Sequence, residues 1–535
     1  PRRPTRFGFK SRGLGDVYKR QRPMRFVFKE VASWPPLAWL ARVQPGEDVI
    51  IVWHGSRVEC SDDGFCEAVW DGDFEAMAFD RTDLVFGSGC RLRGDHAVFV
   101  SSGSPLDRLH LYRRSGTTDV SNSLVCVAAV NDVGFPPAYP HYRRDFRSIQ
   151  DGLSNVVPDV RTTGDPITLL YYRNAIWDGE SFAYRDKPFG DRGFEDFASY
   201  EGFLSQGLTA LADNMRSNKR AHPYEPLGTL STGYDSSTVA VLIRDIGCRQ
   251  VICFRKGRGG DDDDGSATAA RLGMAVIGAD RDAWRQMDMP EIPFMASNGF
   301  GEEVQVSTVS EHLPGKVLFT GVHGDLIWGK ELVAGGDDLV RSDYTGVSLT
   351  EFRLWHGFMN CPLPFWGARN PESINAISNS AEMEPWDVPG DYSRPICRRI
   401  VESAGVPRES FGVTKRATST IFKWEKQFLS PSATASYGDW LRQHRSAWLK
   451  DREVPPQWRP PLRNVLKLVN VTRRVLRRLG MRRTASHLSS LTRRWDFMKV
   501  PPTYPFVFPW AMHEAKKRYR VEPTTEWGQK PDSIS

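Results

Sequence analysis

Up to about residue 163 the apolar residues fall in short runs, at 49–53, 84–86, 97–101, 109–113 and 124–129, broken by Gly, Asp and Ser. Runs of that length between turn residues predict strands, and so a mostly β domain over 24–163. The pattern then changes. Phe197, Tyr200, Leu204, Leu208, Leu211 and Met215 recur at three- and four-residue spacing, which predicts one buried face of a helix. An apolar strand at 227–230 runs into the amphipathic positions Val239, Leu242 and Ile243, followed by a strand at 251–254, a helix at 266–272 and a strand at 275–277. Strand, helix and strand at this spacing predict a parallel sheet, so the expected class is α/β.

From Pro431 the character shifts again. Leu462, Val465, Leu466, Val469, Leu476 and Leu479 lie close to one helical stripe with Arg473, Arg474, Arg477 and Arg478 around it. Residues 431–535 hold 21 Lys/Arg against 8 Asp/Glu, an excess larger than the whole chain's net charge of +6, so the remainder is acidic. Such a helix either presents a solvated face while packed on the body or lies on an anionic partner, RNA or a membrane surface.

At 535 residues the chain exceeds one ordinary core. The expected division is a lead at 1–23, a β-rich domain at 24–163, a linker at 164–193, an α/β domain at 194–430 and a basic, mainly helical extension at 431–535. The lead is basic, Gly-containing and without periodicity, and is read as foreign or disordered sequence before Met24. Eight scattered cysteines without a Cys-x-x-Cys pair fit a reducing cytoplasm, and no stretch approaches a membrane span.

Candidate chemistry concentrates where the strand at 227–230 meets its helix, in Ser231-Thr-Gly-Tyr-Asp-Ser-Ser237. Ser231, Thr232, Gly233, Ser236 and Ser237 carry little bulk, so backbone N–H groups and a helix start can converge on phosphate oxygens. Asp235 would repel those oxygens without a hard cation between them, which marks it as a Mg²⁺ ligand. An ordinary capped turn would use the same residue types. The loop is not a Walker motif, having no Gly-Lys-Ser/Thr.

This segment resembles the pyrophosphate-binding loop, Ser-Gly-Gly-x-Asp-Ser, of the N-type ATP pyrophosphatases, and among them the synthetase domain of the asparagine synthetase family; Thr232 replaces the first glycine. A second segment, Val317-Leu-Phe-Thr-Gly-Val-His-Gly-Asp-Leu-Ile-Trp-Gly329, is similar to the family's Ser-Gly-Glu-Gly-x-Asp-Glu. The resemblance implies a parallel-sheet PP-loop domain that binds ATP and Mg²⁺, with Asp325 sharing the metal with Asp235 and Gly321 admitting the nucleotide. It implies that Phe254 and Lys256 lie near adenine and phosphate, and that the acidic run 261–264 stands at the family's Asp-Glu position, where a solvated loop reads equally well. Segments 391–400 and 405–415 resemble the family's later helix and loop, which makes Lys415 the cation on the departing pyrophosphate. Val322 and Leu326 stand where the family has glutamates, which bears on the amide-forming step. His323 would be a base or a structural histidine.

The β-rich region resembles, loosely, the Ntn glutaminase-like domain that precedes this synthetase domain. The nucleophile of that domain is a cysteine exposed after methionine removal, whereas here Met24 is followed by Arg25 and the first cysteine is Cys60. The expectation is a degenerate domain without glutamine hydrolysis. The implied activity is an AMP-forming carbon–nitrogen ligase, asparagine synthase-like: a carboxylate is adenylated and passed to ammonia or an amine. Ordinary asparagine biosynthesis fits less well than a tailoring role, and homo-oligomerisation stays open. A non-catalytic nucleotide-binding scaffold and a PP-loop enzyme acting on tRNA are the alternatives.

Overall fold

The computed structural model describes residues 23–189, 192–331, 335–341, 343–390, 392–412, 417–421, 428–444, 459–478, 481, 484–485, 487–488 and 506–520. Residues 1–22 of the lead and Lys415 lie outside them. The chain is mixed α/β, with antiparallel-rich sheets in its first part and a parallel sheet later.

Two sheets of the N-terminal part pack face to face. One has seven strands, in spatial order Arg25–Glu30, Val49–His54, Trp39–Val43, Thr117–Ser121, Leu109–Arg114, Ile167–Leu170 and Asp159–Val160. The other has six, in order Phe182–Asp186, Arg173–Trp177, His96–Val100, Val85–Arg93, Gly64–Trp70 and Glu59–Ser61. Trp39, Ala41 and Val52 from the first sheet meet Phe65, Cys90, Phe99 and Trp177 from the second in one core. Alternating inward positions thus fill the space between sheets, as in other sandwiches.

Two expectations fail here. Residues 124–129 are not a strand but part of the helix Leu124–Val130, started by Ser123, whose hydroxyl accepts from the Cys126 N–H. A run with no polar position carries no period, and the serine cap decides it. Residues 164–193 are not a linker, because Ile167–Leu170, Arg173–Trp177 and Phe182–Asp186 complete the two sheets. Their cores are short and lie among Asp, Arg and Gly, which hid them.

The later sheet has five parallel strands in the order Ala275–Ala279, Gln250–Phe254, Glu225–Thr229, Lys316–Thr320 and Met359–Pro362. It is covered on both faces, which explains its unbroken apolar runs. Val251, Cys253, Val317 and Phe319 enter one core with the helices Phe197–Met215, Tyr234–Asp245 and Pro395–Ser403. Ile252, Phe254 and Leu318 enter the other, with Ile292–Asn298, Leu349–His356 and Val507–Ala515. The expected helical face of 197–215 is buried at all six positions, behind a capping box formed by Asp196 and Ser199.

The C-terminal stretch is in part structural. Tyr437, Trp440, Phe508, Trp510 and Tyr519 belong to the same core as the sheet. Phe508 packs on Tyr142 and Phe146 of the N-terminal part, with ring centroids 4.7 and 5.1 Å apart.

A buried ionic cluster joins the two halves. Arg353, at the end of the helix Leu349–His356, donates to Glu67 at 2.6 Å and to Asp107 at 2.9 Å. Glu67 also accepts from Ser88 and Asn122. Removing the guanidinium strands two carboxylates away from water, and breaking a buried pair in this way typically costs about 3–5 kcal/mol. Arg353→Leu is expected to lose stability of that order in urea unfolding. Glu67→Gln, which keeps the shape and a neutral acceptor, should lose clearly less.

Candidate functional site

The C-terminal ends of the central strands, Glu225–Thr229 and Lys316–Thr320, are neighbours in the sheet and each runs into a short loop and a helix start. That is the crevice where open α/β sheets place their ligands. The first loop carries Ser231 to Asp235 and the second Gly321 to Asp325.

The two loops touch. A Cβ at Gly321 would stand 2.7 Å from the Asp235 carbonyl carbon, and one at Gly324 would overlap the Asp235 carboxylate. Only glycine permits this approach. Arg394, at the start of the helix Pro395–Ser403, is ion-paired with Asp235, and the charge of Asp325 acts on it as well. Although burial opposes its charge, these two carboxylates hold Arg394 firmly protonated. Asp235 and Asp325, 90 residues apart in sequence, therefore stand on loops that touch, and the charge of each acts on Arg394. Arg394 was not singled out in the sequence, although it lies in the segment 391–400; an arginine before Pro at a helix start carries no motif of its own.

The first loop satisfies its own amides. Ser231 N–H donates to Ser236 Oγ at 3.1 Å, Gly233 N–H to Ser231 Oγ at 3.1 Å, and Thr232 N–H and Oγ1–H to Asp263 Oδ1 at 3.1 and 2.6 Å. Asp263, from the acidic run, is thus a buried carboxylate seated on the loop and not part of a wholly solvated one. Its oxygen occupies an anion position on a backbone N–H. Ser237 Oγ donates back to Ser231 O, closing the first turn. Tyr234 anchors the loop from below: it is fully buried, accepts from Arg398 at 2.6 Å and packs edge-on to Phe411.

Phe254 ends its strand in the buried core, and Lys256 bridges to Asp262 in a small hairpin. That hairpin is tied to 417–419 through Arg258, which donates to Ser419 O and Oγ. Gly412 N–H donates to Thr232 O at 2.8 Å, so the described residues leading to Lys415 lie against the loop.

His323 has φ +73, a conformation costly for a residue with a side chain and often found at functional sites. It is buried against Phe365, and burial with the nearby Arg341 charge pushes its pKa well below the ordinary value, so the ring is neutral. A cavity of about 10 Å³, room for one water, lies between His323, Arg341 and Phe365. Arg341 Nε and Nη1, His323 Nε2 and the hydroxyl of Tyr344 are buried without hydrogen-bond partners.

Would Mg²⁺ fit? Among the described residues no group of three or more His, Cys, Asp or Glu gathers at one point. Two carboxylates alone suit Mg²⁺, which takes one or two from protein and completes its octahedron with phosphate oxygens and water. Arg394 already pairs with the Asp235 carboxylate, so these residues suit an ion that brings further oxygen ligands with it better than one held by protein alone.

Comparison with protein-family models and with curated proteins finds no match.

Two outcomes follow from this geometry. Gly324→Ala drives a methyl into the Asp235 carboxylate and is expected to cost about 1–3 kcal/mol of stability, read by thermal unfolding. Glu303, buried on Gly346 N–H and Ser348, is pushed up to about 7 by burial and then by the charge of Glu302. Its ordinary value is 4.5, so across that interval the folded protein holds a proton the unfolded chain has released. Stability should fall as pH rises from about 4.5 to about 7, and Glu303→Gln should flatten part of the fall in urea midpoints. Glu291, also raised to about 7, supplies a second part that the variant leaves.

Proposed function

We propose that the protein is an ATP-dependent, AMP-forming ligase that activates a carboxylate and transfers it to ammonia or an amine. The observation that carries this reading is the contact between the loops that bear Asp235 and Asp325, which follow adjacent parallel strands, with Arg394 paired to Asp235. In this reading the parallel-sheet region is a PP-loop domain similar to that of the asparagine synthetases, and the β-rich region is a glutaminase-like domain that has lost its nucleophile. Cys60 supports the second point: it lies inside the short strand Glu59–Ser61, paired with Phe65 of the neighbouring strand, and its thiol donates to Val58 O.

Asp235 and Asp325 would hold Mg²⁺, which when bound offsets negative charge on the phosphates. The amides of Ser231 to Gly233 receive a phosphate oxygen in place of Asp263 and the loop's own hydroxyls. Ser236 and Ser237, on the first helical turn, would support the same oxygens. A substrate carboxylate oxygen attacks the α-phosphorus, the bond from that phosphorus to the bridging oxygen breaks, and pyrophosphate departs. Arg394, released from Asp235, and Lys415 neutralise it. The amine then attacks the acyl carbon, AMP leaves, and the amine's proton goes to solvent or a neighbouring base.

A second reading, a nucleotide-binding scaffold without chemistry, is favoured by one observation: Asp263 already fills the loop amide of Thr232. Exchange of labelled pyrophosphate into ATP, driven by a panel of small carboxylates, separates the two. Wild type should exchange with at least one acid, Asp235→Asn and Asp325→Asn should lose about 100-fold or more, and Arg394→Gln about 10–100-fold. Nucleotide binding with no exchange for any acid would favour the scaffold. Equal exchange in all four proteins would defeat the site assignment.

A further inference from the structure

The helix Arg459–Arg478 carries two apolar sectors, and one of them faces water. Leu466 is 3% exposed, whereas Val465, Leu468, Val471 and Val475 are 53, 67, 54 and 49% exposed. At 100° per residue these four share an arc of about 120°, on the side away from Leu466. Exposed Lys467 and Arg474 border that arc, and the helix sequence has seven Lys/Arg and no Asp or Glu. Just beyond the helix, Met481 is 48% exposed.

An aliphatic stripe open to solvent costs about 25 cal/mol per Å² of apolar area that could be covered, so its occupant must bury hydrocarbon and also accept positive charge. A second copy of the helix would cover the stripe but bring like charges together with no acid to pair them. RNA would answer the charge, yet this helix has no aromatic ring for bases to stack on, and its Val and Leu side chains would gain nothing from phosphates. No helix among the described residues is long and apolar enough to cross a membrane. The remaining partner is an anionic lipid surface, into which the stripe can sink while the bordering cations stay among headgroups.

We propose that the helix Arg459–Arg478 is an interfacial membrane anchor, lying in the plane of an anionic bilayer with Val465, Leu468, Val471 and Val475 among the acyl chains. At about 1.5 Å per residue it would lie along roughly 30 Å of surface. This would hold the nucleotide-site crevice near a membrane, and it stands whether or not the ligase reading does.

The test is co-sedimentation of the full chain with vesicles of phosphatidylcholine alone or with added phosphatidylglycerol. Binding should be at least tenfold tighter to the anionic vesicles and fall about tenfold between roughly 0.1 and 0.5 M salt. Leu468→Glu together with Val475→Glu should lose binding about 100-fold with an unchanged circular dichroism spectrum, both side chains being exposed. Lys467→Gln together with Arg474→Gln should weaken it roughly tenfold, at the scale of charges near such surfaces. Three results would overturn the proposal: no vesicle binding by wild type, equal binding by the Glu variant, or salt-sensitive retention on RNA that falls in the Gln variant and ignores Leu468→Glu.

Discussion

The contact between Arg353 and the pair Glu67 and Asp107 constrains everything downstream of it. Three charges are withdrawn from water at the seam, and their mutual attraction offsets the desolvation cost only in one docking of the two halves. Any slide of the β-rich half would leave a charge buried alone. Arg353 sits in the helix Leu349–His356, which Gly357 ends in a left-handed turn, and the next strand, Met359–Pro362, pairs directly with Lys316–Thr320. The ionic cluster thus sets the strand beside the one that delivers Gly321 to Asp325. Glu351 on the same helix accepts from Ser123, Trp355 and Tyr519, which ties the C-terminal residues 506–520 to the same point.

Against that rigid frame the loop at 231–237 is held by two carboxylate contacts. Asp263 accepts from both the N–H and the hydroxyl of Thr232, and Arg394 pairs with Asp235. Replacing one hydrogen bond by another has a small net cost, whereas leaving a buried amide or carboxylate unpaired costs the full desolvation. A ligand that displaced either partner would therefore have to supply an equivalent group in its place. The hydroxyl of Thr232 belongs to this arrangement, because it gives Asp263 the second bond that holds it in place.

How much of this was legible follows from which residues carry a period. The helix 197–215 and the parallel strands read clearly, since six apolar positions at helical spacing and unbroken buried runs such as Val317-Leu-Phe are local facts. The contact between the loops bearing Asp235 and Asp325 was legible through two strand-loop-helix junctions of the same kind. The helix Leu124–Val130 was not, because an all-apolar heptad suits either structure and one serine decides. The strands after residue 164 were hidden because Ile167–Leu170 and Arg173–Trp177 offer three buried positions each and Phe182–Asp186 offers none. Arg394, Arg353 and Asp263 act through partners 159, 286 and 31 residues away in sequence, and no spacing encodes such pairings.

The valine at 322 makes the same point from the other side. A Cβ on Gly346 would meet Leu106 at 3.1 Å and Val322 at 3.5 Å, so residue 322 faces the apolar edge of the seam between the halves. A glutamate there would be desolvated against Leu106, and valine removes that cost. The carboxyl on this side of the loop is instead Glu303, which accepts from the Gly346 N–H at 2.6 Å and lies within electrostatic reach of Arg341. With its pKa raised to about 7, it can hold or release a proton near neutrality, as a glutamate in water cannot. With valine at 322, the region beside this loop thus keeps acid–base capacity through a carboxyl at the seam, whose position is set by its bonds to Gly346 and Ser348.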